Sequence, residues 1–301
     1  MSKPATSVTS LWDSPYAILV AAAAMWGANT LFSRLAVNEV SPMLLTLFRW
    51  LAVCAVMWPI SARELPKYWP LLKPQIIKIS IMGILGFTGF NACIYAAAYH
   101  TTAVNISIIQ GSLPIMVMLG AVILYNVRIG WQQIIGILIT LSGVAIIALR
   151  GDLQTLLNMD LNIGDLYMLL ASLFYAIFTL GLRDKPKVPG LLFFAILSTA
   201  ALIASLPLVA YEYLNGTFIW PSPKGWAVSA AIIIFPSCLA QIFFIRGVEI
   251  IGPARAALFI NLIPVFGTAF AIGFLREPFT IIQGLGLLMV LIGIWLSERK
   301  S

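Results

Sequence analysis

Charge is scarce in this chain, and its acids keep to the loops and the ends of the apolar runs. Only 10% of the 301 residues are Asp, Glu, Lys or Arg, while 61% are hydrophobic. A soluble domain of this size could not keep that much apolar surface dry. The 11 Asp and Glu all stand in loops or near the ends of apolar runs. No carboxylate is therefore expected mid-membrane, where proton or sodium relays usually place one. Coupled antiport has no support from composition, and passive facilitation is the simpler expectation, with proton entry through His100 or Glu277 as the remaining route. Histidine occurs once and cysteine three times. Cys54, Cys93 and Cys238 are scattered among apolar runs, which makes neither a disulfide framework nor a metal site. HExxH, Walker A and GxSxG patterns are absent. A membrane hydrolase would have neither paired acids nor a nucleophile with its base, so no enzymatic activity, cofactor or metal is expected. Nor does any basic patch with interleaved aromatics suggest nucleic acid.

Long apolar runs are abundant. A helix needs about 20 apolar residues to cross the ~30 Å hydrocarbon core. Ten candidate spans follow, at 16–37, 43–61, 75–99, 102–124, 131–149, 164–183, 190–211, 225–247, 253–275 and 280–297. In lipid the backbone must satisfy its own hydrogen bonds, so these are read as helices. The alternating stretches of a transmembrane barrel are absent. The first run is too long for a signal peptide, and Trp26, Asn29 and Arg34 do not resemble a small-residue cleavage site. The expected fold class is all-α and integral to the membrane, with no soluble domain.

The second half repeats the first. A gapless slide of 150 residues puts Pro114 on Pro264, Gln133 on Gln283, Gly136 on Gly286 and Gly143 on Gly293. Five spans per half is an odd number, so the copies, residues 1–150 and 151–301, must lie in opposite orientations. Such inverted pairs are a common construction of secondary transporters, with the substrate site between the halves. Charge placement agrees. With a cytoplasmic N-terminus, thirteen Lys and Arg fall inside, only Arg34, Arg150, Lys224 and Arg276 fall outside, and Arg49 lies within a span. That asymmetry follows the positive-inside rule. It places both termini in the cytoplasm.

Prolines and glycines mark packing and hinges. Pro114 and Pro264 fall near the middle of spans 4 and 9, where a proline removes a hydrogen bond and kinks the helix. Either they are passive kinks or, as interrupted helices in matching positions, they mark a transport site. Gly83, Gly86 and Gly89 lie on one face of span 3 and invite close helix approach. Spans 5 and 10 hold few polar residues and read as structural supports.

Polar groups inside spans are costly and usually face the bundle interior or a wet cavity. They are Trp26, Asn29 and Thr30 in span 1, Arg49 in span 2, and Asn91, Tyr95 and Tyr99 in span 3. Span 4 has Asn105, Ser107, Gln110 and Ser112; span 6 has Tyr175 and Thr179; spans 8 and 9 have Gln241 and Asn261. Arg49 lies seven residues into its span, roughly 10 Å deep. Three roles are open to it: snorkelling outward, binding helix-end carbonyls, or holding a substrate carboxylate. His100, at the end of span 3, is either a proton site or a plain loop histidine.

Trp26-Gly27-Ala28-Asn29 resembles the signature that opens the first repeat of EamA-type members of the drug/metabolite transporter superfamily. The stretch Ala96–Ala103 followed by Pro114 resembles that repeat's span 3 to span 4 hairpin. Gly252–Leu258, Asn261–Phe266, Leu275-Arg276-Glu277-Pro278, Gln283 and Gly286 follow the second copy closely, and Arg49 matches an arginine the family often carries. Asn126-Val127-Arg128 departs from the family's acidic residue after span 4. The resemblance implies ten transmembrane helices and a central cavity lined by spans 1, 3, 4, 6, 8 and 9. It implies an inner-membrane exporter of small metabolites, amino acids first among them, working by alternating access. Expected substrate contacts are Trp26, Asn29, Arg49, Asn91, Tyr95, Tyr99, Gln110, Tyr175, Gln241 and Asn261. Pro114 and Pro264 are the expected hinges and His100 the possible proton site. Partners would be the small-molecule substrate and the lipid bilayer, with one copy sufficient. A multidrug or nucleobase exporter of the same fold, and a non-transporting membrane scaffold, are the alternatives.

Overall fold

A computed structural model describes residues 14–126, 128, 130–148, 162–251, 256 and 258–297. Both termini, the connection between halves with Arg150, Asp152 and Asp160, and the stretch 252–255 lie outside the described residues. Every element described is helical: α1 (Pro15–Leu35), α2 (Pro42–Ser61), α3 (Leu65–Leu72), α4 (Ile76–Gly83), α5 (Phe90–Ala97), α6 (Ala103–Gln110) and α7 (Leu113–Tyr125). Then come α8 (Trp131–Ala148), α9 (Ile163–Gly181), α10 (Gly190–Leu214), α11 (Pro223–Ile232), α12 (Ala240–Ile251), α13 (Ile263–Leu275) and α14 (Ile281–Ser297). Six of the resulting rods are long and apolar enough to cross a membrane, and three shorter apolar helices accompany them. The large exposed side chains, such as Ile77, Ile123, Phe274 and Ile281, suit a surface bathed in lipid rather than water.

Chain chemistry explains where these helices start. Pro15, Pro42 and Pro223 each open a helix, where the missing N–H costs nothing. The side chains of Thr102, Asn162 and Ser222 accept backbone N–H groups at the starts of α6, α9 and α11. Such caps satisfy donors that the helix itself cannot.

The internal repeat is visible in atomic detail. Asn126 and Arg276, 150 residues apart, both take left-handed φ angles (50° and 54°). Their N–H groups close on the carbonyls of Ala121 and Ala271, again 150 apart. The amide oxygens of Gln133 and Gln283 accept from Gly130 N at 2.9 Å and Thr280 N at 3.0 Å. Helices α8 and α14, the repeat mates read as supports, pack against each other along their length. A Cβ on Gly136 would sit 2.5 Å from Gly293 O, and one on Gly293 would sit 2.6 Å from Gly136 O. Gly143 and Gly286 are reciprocal in the same way. Packing through small residues is what membrane helices use when lipid is as apolar as they are.

Three local features differ from the sequence expectation. Residues 62–75 are helical rather than a loop: α3 is flanked by short 3₁₀ turns, with Leu72 buried while Trp69 and Leu71 are exposed. Tryptophan beside lysine suits a membrane interface. Pro114 and Pro264 do not kink continuous helices. α6 ends at Gln110, Gly111 and Ser112 form a turn, and Pro114 lies in the first turn of α7. Likewise the 3₁₀ segment Leu258–Leu262 precedes α13, with Pro264 in its first turn. A proline is tolerated in a first turn but not in mid-helix, so each span restarts there. Finally, Ile84–Gly89 in span 3 and Ile233–Leu239 in span 8 each wind as a π-helix. These are repeat mates, and such widened turns often occur at functional sites.

Candidate functional site

The two broken spans and the two widened ones meet around one cavity between the halves. It is narrow, with about 80 Å³ of free volume, below the usual range for small-molecule sites, so a bound solute requires the walls to part. Trp26, Asn29, Arg49, Asn91, Gln110, Tyr175, Gln241 and Asn261 line it, as do Pro114 and Pro264. Sequence reasoning missed Trp50, Phe87, Phe90, Phe194, Pro236 and Ser237. Spans 2, 7 and 10 therefore also contribute to the wall, span 10 through Ile294. Most of these are apolar residues within apolar spans, so nothing local marks them out.

Arg49 is the polar centre. It is 7% exposed, and Nη1 donates to Asn91 Oδ1 at 2.6 Å, Tyr95 Oη at 2.9 Å and Asn29 Oδ1 at 3.3 Å. Nη2 has no hydrogen bond among the described residues, and Nε is buried without a partner. The cluster has its own support: Asn91 Nδ2 donates to Phe87 O at 2.6 Å. Its guanidinium carbon stands 5.2 Å from the Trp50 ring centre, and Trp50 stacks on Phe87 at 4.5 Å and 8°. Among the described residues no carboxylate pairs with Arg49. A desolvated guanidinium held only by neutral groups retains an uncompensated charge, which favours an incoming anion.

Elsewhere the wall is aromatic and amide-rich. Trp26 Nε1 donates to Pro236 O at 3.1 Å, and its ring lies 5.2 Å from Phe244. Phe90 and Tyr175 are 5.0 Å apart. Gln110 Oε1 is buried with no hydrogen-bond partner.

Tyr95 contributes through Arg49 and is itself 2% exposed. Tyr99 and His100 lie apart from the cavity, at one end of the bundle. Tyr99 Oη accepts from Asn38 N at 3.2 Å. His100 is exposed and lines a separate vestibule with Arg34, Asn105 and Gln283.

That end of the bundle is tied across the two halves by carboxylates. Glu277 accepts from Ala103 N and Val104 N, both at 3.1 Å, and stands 3.6 Å from Arg34 Nε. Glu212 accepts from Met43 N at 2.9 Å and Leu44 N at 3.2 Å. These two acids of the second half thus each cap a helix of the first, where the N-terminal dipole favours negative charge. Glu39 accepts from the Ser222 hydroxyl and from Lys224 Nζ at 3.0 Å. The Ser222 hydrogen bond, then that of Lys224, hold its carboxyl below the ordinary glutamate range. The opposite, basic end carries Lys67, Lys73, Lys78, Arg183 and Lys185. Cross-half contacts there include Lys78 with Asp184 at 3.6 Å, Tyr125 Oη donating to Leu180 O at 2.9 Å and Gln133 Nε2 donating to Ser297 O at 3.2 Å.

Two related sets of five spans around a shared cavity define a multi-pass membrane transporter built from a duplicated unit. Residues 14–149 and 162–299 each match the EamA-like transporter family, and the chain belongs to it. Among its relatives, the "uncharacterized transporter YyaM" of Bacillus subtilis is 26% identical over 93% of this chain and 92% of its own length. The "uncharacterized transporter YetK" of the same organism is 22% identical over 95% and 87%. The "uncharacterized transporter sll0355" of Synechocystis is 25% identical over 94% and 89%. A solved crystal structure at 17% identity superposes with a TM-score of 0.63, covering 93% of this chain and 95% of that one. That likeness concerns the fold.

Proposed function

We propose that the protein is an inner-membrane exporter of small carboxylate-bearing metabolites, amino acids foremost, working by alternating access. Its basic end and both termini face the cytoplasm, as the positive-inside rule favours. One copy carries both halves and suffices. The observation that carries this reading is the uncompensated Arg49 guanidinium at a cavity otherwise lined by aromatic and amide groups. A carboxylate would take the Nη2 edge, and an apolar or aromatic side chain would lie against Trp26, Phe87, Phe90 and Tyr175. The breaks at Gln110–Leu113 and before Ile263 supply places for the halves to flex, and the widened turns of spans 3 and 8 supply more. With no acid among the described side chains lining the cavity, cationic solutes find nothing there to neutralise them, which disfavours a drug exporter of cationic dyes.

The test is flux into liposomes holding the purified protein, with labelled amino acids, nucleobases and cationic dyes, with and without a pH gradient. Amino-acid flux is expected, without a requirement for the gradient. Arg49→Lys should cut it at least about tenfold, since lysine cannot reproduce the planar fork. Flux of dyes alone would overturn the reading, and flux of nothing would favour a scaffold.

A further inference from the structure

Arg49 accounts for one end of a zwitterion, and the cavity has an acceptor-rich region on another element. We infer that Gln110 is the specificity-determining residue that reads a substrate's ammonium group; this rests on the carboxylate reading of Arg49. Gln110 Oε1 is buried and accepts nothing, although the residue lines the cavity. A buried acceptor without a donor costs about 1–3 kcal/mol, a cost that a ligand ammonium in this cavity would relieve.

Three further observations point the same way. Gln110 is the last residue of the half-helix α6, and the C-terminal end of a helix favours positive charge. Pro114, four residues on, has no N–H to offer the Gln110 carbonyl, which adds an acceptor at the same place. The break is also held in position: a Cβ on Gly111 would sit 2.7 Å from Val290 Cγ1 and 3.3 Å from Pro264 Cγ. Substitution there would push the break away from α14 first and from α13 next.

Both subsites open onto the same cavity. Asn29 touches Arg49 at 3.3 Å, and its chain neighbour Thr30 accepts from Ser107 Oγ at 3.1 Å. Ser107 stands one helical turn before Gln110 on α6. Among the described side chains lining the cavity no acid competes for an amine, so neutral oxygens perform that recognition. An α-amino acid would then lie with its carboxylate on Arg49 and its ammonium at the end of α6. Its deaminated analogue would leave Gln110 unsatisfied. Sites built to bond a polar group reject analogues that lack it far more strongly than apolar pockets reject a missing methylene.

Counterflow in proteoliposomes tests this with three probes: phenylalanine, 3-phenylpropanoate and 2-phenylethylamine. Wild-type protein should prefer phenylalanine to 3-phenylpropanoate by about 10- to 100-fold, the range for a hydrogen bond to a charged group. Gln110→Leu should collapse that ratio to within about threefold by the same arithmetic. Gln110→Glu keeps the acceptors and should hold the ratio at or above the wild-type value. Size-exclusion profiles in detergent identify variants that do not fold, and Gln110→Ala takes the place of Gln110→Leu if the latter fails. Equal transport of phenylalanine and 3-phenylpropanoate by wild type, or a ratio that survives Gln110→Leu, overturns the role of Gln110 and leaves Arg49 standing. Arg49-independent flux of both probes, or transport of 2-phenylethylamine alone, removes the carboxylate reading and this inference with it.

Discussion

Replacing Glu277 by Gln should unlock one end of the transporter. The Glu277 carboxylate spans two backbone N–H groups at the start of α6 and lies 3.6 Å from Arg34. Loss of an N-terminal cap costs about 0.5–2 kcal/mol, and a charged acceptor on two donors belongs near the upper figure. The Arg34 side chain is 33% exposed, so that ion pair adds at most about 1 kcal/mol. Together they give about 2–3 kcal/mol that is present only while the halves are closed at this end. If opening separates them, the open population rises about 30- to 150-fold. The assay is accessibility. In a background with Cys54, Cys93 and Cys238 replaced by alanine, Ser237→Cys places a reporter on the cavity wall. An impermeant maleimide added at the Glu277 end should label it about 30-fold faster or more once Glu277→Gln is introduced. Glu212→Gln, which removes the matching cap on α2, should act in the same direction. A lower melting temperature with an unchanged labelling rate would refute the reasoning, because the cap would then persist when the end opens.

Two other outcomes follow from the packing and the charges. Gly293→Ala would put a Cβ 2.1 Å from Thr140 Oγ1, and Gly136→Ala would put one 2.5 Å from Gly293 O. Each should cost about 1–3 kcal/mol. Gly273→Ala meets nothing within 4 Å and should gain up to about 1 kcal/mol from helix propensity; denaturation by SDS titration checks all three. Because Glu39 has a lowered pKa, its tie to Ser222 and Lys224 is at full strength above the ordinary value of 4.5 and fades as pH falls through the folded value. Melting curves taken from neutral pH to below 4.5 should therefore show a smaller loss in Lys224→Gln than in the parent.

The fold was readable because membrane burial writes itself in length and composition. Described helix ends such as Ser61, Tyr125 and Ser297 fall within one residue of the apolar-run limits. The repeat was readable because Pro114 and Pro264, and the glycines of α8 and α14, recur without gaps. Arg49, Asn29 and Asn91 were readable because polar groups in hydrocarbon stand out. Other features leave no such mark. Trp50, Phe87 and Phe194 are apolar residues among apolar residues, and only the structure tells which face they present. Glu212 and Glu277 read as end-of-span acids, because their partners lie more than 160 positions away in the chain. The widened turns at Ile84–Gly89 and Ile233–Leu239 are invisible for a similar reason: they depend on an extra residue being accommodated by neighbouring helices. Tyr99 shares an apolar run with Asn91 and Tyr95, yet it sits at the far end of that rod.

The central claim is that Arg49 holds the substrate's carboxylate inside the cavity between the two halves. A side-chain-resolution density map of the protein with phenylalanine bound tests it most directly. The account predicts the carboxylate within hydrogen-bonding distance of Arg49 Nη2, with the ring among Trp26, Phe87 and Tyr175. Phenylalanine seated instead in the vestibule beside His100, with Arg49 still bonded only to Asn29, Asn91 and Tyr95, would contradict it.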